Sequence, residues 1–307
     1  MTSLSSGVFE RSGLAARSDL QDPEWRAVFS ALEAEQKEFL SFEKDFRSPE
    51  YAWPRDPLHN WSRVWEYPYA YHHLQMWRRS RPQSPLLKVA DVGSGVTFFP
   101  FSVARLGCEV ICTDIDPICE TDLGRAARLV PAEPGRIECR ITDGRTLPYA
   151  DGEVDAAYSI SVIEHIPEFA GTIKEIHRAL KPGGLFLLTC DVATAATEYD
   201  SLGIAAFARL RRALEEFFVP ALPEKSVHPE DVLRVDNSPR LGPPPAAIPG
   251  WGTRILRAGW RVPAHPVRSV RRARELLFPV RFEVPRLSVI AFCLRKRSGD
   301  AAGSREG

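Results

Sequence analysis

Lys88-Val-Ala-Asp-Val-Gly-Ser-Gly-Val-Thr-Phe-Phe-Pro-Phe-Ser-Val-Ala-Arg-Leu-Gly-Cys-Glu-Val-Ile-Cys-Thr-Asp-Ile-Asp116 is the stretch that decides the fold. A short apolar strand ends in Asp91-Val92-Gly93-Ser94-Gly95, and a helix-like segment follows. A second apolar strand, residues 109–113, then delivers Asp114. Two glycines let the backbone turn sharply and approach a ligand closely, which a Cβ prevents. An acidic side chain at the end of the next strand, about 20 residues on, suits the two hydroxyls of a ribose. The pattern therefore asks for an adenosine-bearing ligand at the carboxyl ends of parallel strands.

Three details narrow the ligand. A dinucleotide fingerprint places a third glycine, for close helix–strand packing, where this chain has Phe98. Asp91 puts a carboxylate just before the turn, where a phosphate is repelled and the ammonium of an amino-acid moiety is welcome. A further strand, residues 136–142, ends in Asp143-Gly144, which brings another carboxylate near an adenine edge and leaves room beside it. Acid–x–Gly–x–Gly, then acid, then acid is the pattern of S-adenosyl-L-methionine binding.

With these residues in view, the chain resembles the class I S-adenosylmethionine-dependent methyltransferases, in particular the small-molecule group with a type 11-like core. The matching blocks are Asp91-Val92-Gly93-Ser94-Gly95, Thr113-Asp114-Ile115-Asp116-Pro117 and Asp143-Gly144-Arg145-Thr146-Leu147-Pro148. They continue as Val154-Asp155-Ala156-Ala157-Tyr158-Ser159, Val162-Ile163-Glu164-His165-Ile166 and Leu180-Lys181-Pro182-Gly183-Gly184. A lone glycine motif is weak, but ordered blocks at workable spacings are specific. Together they cover residues 85–192 and imply the fold and the methyl donor. They say almost nothing of the acceptor, because this fold hosts many chemistries.

The implied architecture is α/β: a Rossmann-like, mostly parallel seven-stranded sheet with helices on both faces. An N-terminal helical, aromatic cap is expected over 1–84, the cofactor-binding core over 85–192, and an insert or lid over 193–278. The last core strands follow at 279–297, with residues 280–284 pairing the strand at 287–294, and a solvated tail at 298–307. Within the cap, residues 1–20 read as loose. Asp22-Pro23 then starts a helix whose Trp25, Val28, Phe29, Leu32, Phe39, Phe42 and Phe46 recur at helical spacing. A second helix near 62–80 is expected to break at Pro68. Lys181-Pro182-Gly183-Gly184 reads as the turn between a helix and the next strand. Helical spacing returns over 205–218, before a proline-rich stretch.

Lys+Arg and Asp+Glu both total 40, so no global field favours nucleic acid or an anionic membrane. The six cysteines fall mostly in apolar runs and read as small buried hydrophobes of a reducing compartment, with no metal site. The N-terminus lacks a signal-peptide core, and no apolar run approaches the roughly 20 residues of a membrane span. A cytoplasmic enzyme with a small-molecule acceptor is the expectation.

The candidate cofactor-binding residues are Asp91, Gly93, Ser94, Gly95, Asp114, Ile115, Asp143, Gly144 and Ser159. Asp114 is assigned to the ribose, Asp91 to the methionine end and Asp143 to the adenine amine. Asp116 reads as a helix N-cap before Pro117. Ser159 and Ser161, at the end of the fourth strand, either face the sulfonium or simply end the strand. His165 follows that strand, and an imidazole can accept a proton, so it is either a base for a hydroxyl acceptor or a packing residue. Asp191, at the end of the fifth strand, is the rival base. The aromatics of residues 51–77 either dock helices or line the acceptor pocket. Seven arginines between Arg254 and Arg274 form either a solvated surface or an anion site. O-methylation is the favoured chemistry. A non-catalytic or assembly protein retaining this fold is the alternative, and a nicotinamide-dependent oxidoreductase is disfavoured by Phe98 and Asp91.

Overall fold

The computed structural model describes residues 7–84, 86–193, 202–239 and 287–297 of the 307. The N-terminal segment, expected to be loose, is packed. It contributes strand β1 (Gly13–Leu14) and a 3-10 turn (Ser18–Gln21), and it buries Val8, Phe9, Ala15 and Leu20. Short polar stretches carry little periodicity, so neither the bridge nor the burial shows in sequence. Asp19 anchors this segment: its buried carboxylate accepts from Trp65 Nε1 at 2.8 Å and from the Ala16 amide at 3.0 Å, and it pairs with Arg11.

Helix α1 (Pro23–Ser41) starts where expected, with the Asp22 carboxylate accepting from the amides of Glu24 and Trp25 and Pro23 in the first turn. Trp25, Phe29, Leu32, Gln36 and Phe39 form its buried stripe, which packs on helix α3 (Arg63–Arg79). A short α2 (Glu43–Phe46) lies between them. Helix α3 runs unbroken through Pro68, contrary to the sequence expectation. Every residue from 64 to 71 is buried, so tertiary packing outweighs the one hydrogen bond that proline removes.

The sheet follows as β2 (Leu87–Val92), β3 (Cys108–Asp114), β4 (Arg136–Ile141), β5 (Val154–Ile160), β6 (Leu180–Ala193), β7 (Phe218–Pro220) and β8 (Leu287–Lys296). Helices α4 (Phe99–Arg105), α5 (Pro117–Ala126), α6 (Phe169–Ala179) and α7 (Ile204–Phe217) connect or flank them. The order is β1-β8-β6-β5-β2-β3-β4, with β7 also on β8. Strands β2 to β6 pair in parallel, and β8 runs antiparallel to β6, β1 and β7. Among the described residues there are eight strands where seven were expected, with β1 from the N-terminal segment and the short β7 as additions. The segment 181–184, read as a turn, is drawn into an irregular start of β6, where the pairing register with β5 shifts between Val154 and Ala156. The expected strand at 280–284 and the arginines of 254–274 lie outside the described residues.

The chain moves one way from β2 to β3 and β4, and the other way from β5 to β6. Strand order therefore reverses between β2 and β5, which opens a crevice at their carboxyl ends, the usual ligand position in such sheets. No helix among the described residues is long and apolar enough to cross a membrane.

Candidate active site

The turn after β2 is held by its own backbone. The amides of Gly93 and Ser94 both donate to the Thr113 carbonyl, at 2.9 and 3.0 Å. The Gly95 amide donates to Asp114 Oδ2 at 2.9 Å, and the Val96 amide donates to the Tyr51 hydroxyl at 2.8 Å. Gly93 has φ +80°, and a Cβ there would meet Val162 at 2.5 Å, so only glycine fits. Four successive amides thus point into the protein's own acceptors. A pyrophosphate needs such amides free, so this loop does not suit one. Phe98 agrees: it is 1% exposed and lies edge-on to Tyr67, filling the space where a dinucleotide site brings helix and strand together over glycine.

Sequence reasoning missed two supports of this loop. Tyr51, beside Gly95 as well as Val96, is buried, and Arg47 stacks over its ring at 4.7 Å while donating to the Val96 carbonyl. Both come from the segment before α3, and no motif marks them. Only the density of aromatic residues there was a signal.

The three acids named from the sequence, Asp91, Asp114 and Asp143, sit in different settings. Asp91 is buried, and burial, with Asp114 adding and the Tyr158 hydroxyl offsetting, pushes its carboxyl up to about 8. It is therefore mostly protonated near neutrality until a cation arrives. Asp114 is half-buried, and burial raises its pKa against the amides of Asp116 and Gly95, which donate to its two oxygens. Asp116 caps α5 through the Ile118 amide at 3.0 Å, as expected. Asp143 is exposed, and its Oδ1 accepts from the amides of Thr146 and Arg145, which lowers its pKa. Ile115 is 42% exposed, unusual for isoleucine, and its side chain lies against the Gly144 position. The structure thus gathers 91–95, 114–115 and 143–144 around one crevice.

The far side of the crevice is built from β5, β6 and α3. Ser159 is fully buried and donates to the Val92 carbonyl at 3.1 Å, which ties β5 to β2. Ser161, with φ 48°, donates to Glu66 Oε1 at 2.8 Å and accepts from Arg63. Glu66 is fully buried and takes Arg63 Nη1 at 2.6 Å on its other oxygen. Glu164 Oε1 accepts the Asp191 amide at 3.0 Å. His165 is exposed, in the 3-10 turn Ile163–His165 that also carries Glu164. Residues 232–239 sit nearby: Ser238 Oγ donates to the Trp61 carbonyl, and the Val235 amide donates to Leu287 at the start of β8.

With this geometry established, comparison with known proteins becomes informative. Residues 90–188 match the family model described as a methyltransferase domain. The match covers about a third of the chain and agrees with the resemblance to the S-adenosylmethionine-dependent methyltransferases. Over 129 residues it is 31% identical to an uncharacterized methyltransferase of Mycobacterium sp. (strain JLS), covering 42% of this chain and 48% of that protein. Over 126 residues it is 34% identical to a ubiquinone biosynthesis O-methyltransferase of Xanthomonas axonopodis pv. citri, covering 40% of this chain and 51% of that protein. The chain thus spans about half the length of the curated relatives it matches. Among solved structures, a 4+2 cyclase, SpnF, aligns at 18% identity with a TM-score of 0.50, over 88% of this chain and 96% of that one. A likeness at that identity speaks for the fold alone.

Proposed function

We propose that this protein transfers a methyl group from S-adenosyl-L-methionine to a small molecule, with oxygen as the favoured acceptor atom. One observation supports the donor assignment: the glycine loop turns its amides inward, onto the Thr113 carbonyl, Asp114 and Tyr51, which leaves them unavailable to a phosphate. Carboxylates repel a phosphate but suit an ammonium, a ribose diol and an adenine amine. In this reading Asp91 receives the ammonium, Asp114 the ribose hydroxyls, and Ile115 with Gly144 flanks the adenine. Gly93 and Gly95 allow the backbone to lie close to the methionine portion.

Methyl transfer from a sulfonium is an in-line displacement, so the protein chiefly supplies proximity and alignment. A hydroxyl acceptor must also lose a proton, and Asp191 and His165 are the groups placed to take it. The name of the Xanthomonas relative supports an oxygen acceptor, and the aromatic α3 flank with residues 232–239 forms the acceptor side. A cytoplasmic location belongs to this reading. Calorimetry with S-adenosylhomocysteine tests it: Asp114→Ala should weaken binding by about 1.5–3 kcal/mol, the loss typical of charge-assisted hydrogen bonds. Unchanged affinity in a folded variant rejects the ribose assignment.

A further inference from the structure

Two carboxylate oxygens beside the crevice, Glu164 Oε2 and Asp191 Oδ1, are buried with no hydrogen-bond partner among the described residues. Glu164 is 8% exposed, and its other oxygen holds the Asp191 amide, so the two residues are joined through backbone as well as by charge. The groups facing them come from each neighbouring element. Helix α3 contributes Arg63 and Glu66, Ser161 follows the end of β5, and the 3-10 turn contributes His165.

The charges do not cancel. Burial works against the Arg63 cation, but Glu66, with Asp191 and Glu164 nearby, more than offsets this and holds the guanidinium charged. Arg63 hydrogen-bonds to Glu66 and Ser161, which leaves Glu164 and Asp191 with no cation of their own in direct contact among the described residues. Burial, then mutual repulsion with Glu66 adding, pushes the Asp191 carboxyl well up, and Arg63 offsets only part of it. Burial likewise raises Glu164, against His165 and the Asp191 amide. Both carboxyls are thus raised above the ordinary carboxylate range, because ionising both leaves like charges in a poorly solvated place.

The segment that carries Glu164 packs against the glycine loop. Val162, two residues before Glu164, is the side chain that fills the space a Cβ on Gly93 would need. Tyr67, following Glu66, lies within electrostatic reach of both Arg63 and Asp91.

We propose that Glu164 and Asp191 form a proton-sharing carboxylate pair facing the transferable methyl group, and that this pair takes the proton of a hydroxyl acceptor. Arg63 and Glu66 act as positioning residues. The inference rests on the methyltransferase reading above. In the step, the acceptor O–H bond breaks and its proton passes to the free carboxylate oxygen. The hydroxyl oxygen forms the bond to the methyl carbon, and the C–S bond breaks with its electron pair passing to sulfur, giving a neutral thioether. The pair then holds two protons and returns one to solvent.

The test needs no knowledge of the acceptor. Sinefungin carries an ammonium where the donor carries its sulfonium methyl, whereas S-adenosylhomocysteine carries nothing there. Calorimetry at neutral pH should show wild-type protein binding sinefungin about 10-fold or more tightly than S-adenosylhomocysteine, because the pair's negative charge faces that ammonium. Asp191→Asn and Glu164→Gln should each reduce the preference to about twofold or less while leaving S-adenosylhomocysteine affinity nearly intact. Both variants remove an uncompensated buried charge, so their Tm should hold or rise; a purely structural pair would instead lose stability. Glu66→Gln gives a second route that leaves the pair itself intact. It frees Arg63 to approach the pair, and the sinefungin preference should fall again. Equal wild-type affinity for the two ligands, or a preference that survives all three variants, overturns the proposal. Wild-type protein that binds neither ligand overturns the methyltransferase reading itself, and the proposal with it.

Discussion

Asp91 shows how one residue can link ligand, proton and stability. Its carboxyl, pushed up to about 8 by burial, is mostly neutral at pH 7. An ammonium in its place of contact stabilises the ionised form, so donor binding should release a proton. Calorimetry of S-adenosylhomocysteine in buffers of different ionisation enthalpy measures this directly: affinity should rise with pH up to about 8, and Asp91→Asn should abolish the proton release. The stability effect has a definite sign. The folded pKa lies above the unfolded value, so the folded protein binds the proton more tightly. The stability from Asp91 is fully present below the unfolded pKa near 3.8 and is lost as pH rises through about 8. Ligand-free Tm should therefore fall between pH 5 and pH 9, and Asp91→Asn should flatten that decline. A decline of equal size in the variant assigns it to other groups. The sequence showed Asp91 and Asp114 in their motif but not their environments, since burial and the Gly95–Asp114 bond arise only when β2 and β3 lie side by side.

At the scale of elements, α3 matters most, because it braces the cofactor loop region and supplies Arg63 and Glu66 to the opposite side. Its aromatic crowding was plain in sequence, but its continuity through Pro68 and its two charged contributions were not. A charged pair three residues apart reads as solvated surface until the helix is seen docked over β5 and β6. The same burial creates an acid-sensitive point. His73 packs edge-on against Tyr69 at 4.4 Å, and its Nε2 is buried with no hydrogen-bond partner among the described residues. Burial, reinforced by His72, pushes its pKa down to about 3. Here the unfolded chain binds the proton more tightly, so stability is lost as pH falls from about 6.5 towards 3. Acid unfolding followed by circular dichroism should show a midpoint shifted to lower pH in His73→Leu, which has nothing to protonate. An unshifted midpoint means other groups govern the acid limb.

Across the whole molecule, the legible and illegible parts divide by the range of the interactions that make them. The alternation of strand and helix from 87 to 192, the Asp22 and Asp116 caps and the glycine turn are local in sequence, and all were readable there. The eighth strand was not, because β1 exists only through its pairing with β8, some 280 residues away. Nor was the Glu164–Asp191 contact, which joins a turn after β5 to the end of β6. The sheet order gives the functional proposal its broadest test. Donor binding at the reversal between β2 and β5 should touch three chain segments that are distant in sequence but share one end of the sheet. Hydrogen exchange with saturating S-adenosylhomocysteine should slow at residues 93–96, 114–116 and 143–146. The opposite ends of the strands, at 87–88, 108–109 and 154–155, should change little, because they lie a strand's length, roughly 20 Å, away. Segments 61–66 and 232–239 belong to the proposed acceptor side, so the demethylated donor alone should protect them less than it protects the three loops. Protection confined to one loop, or centred on the opposite ends, would place the ligand elsewhere and remove the basis for assigning Asp91, Asp114 and Asp143 to a common site.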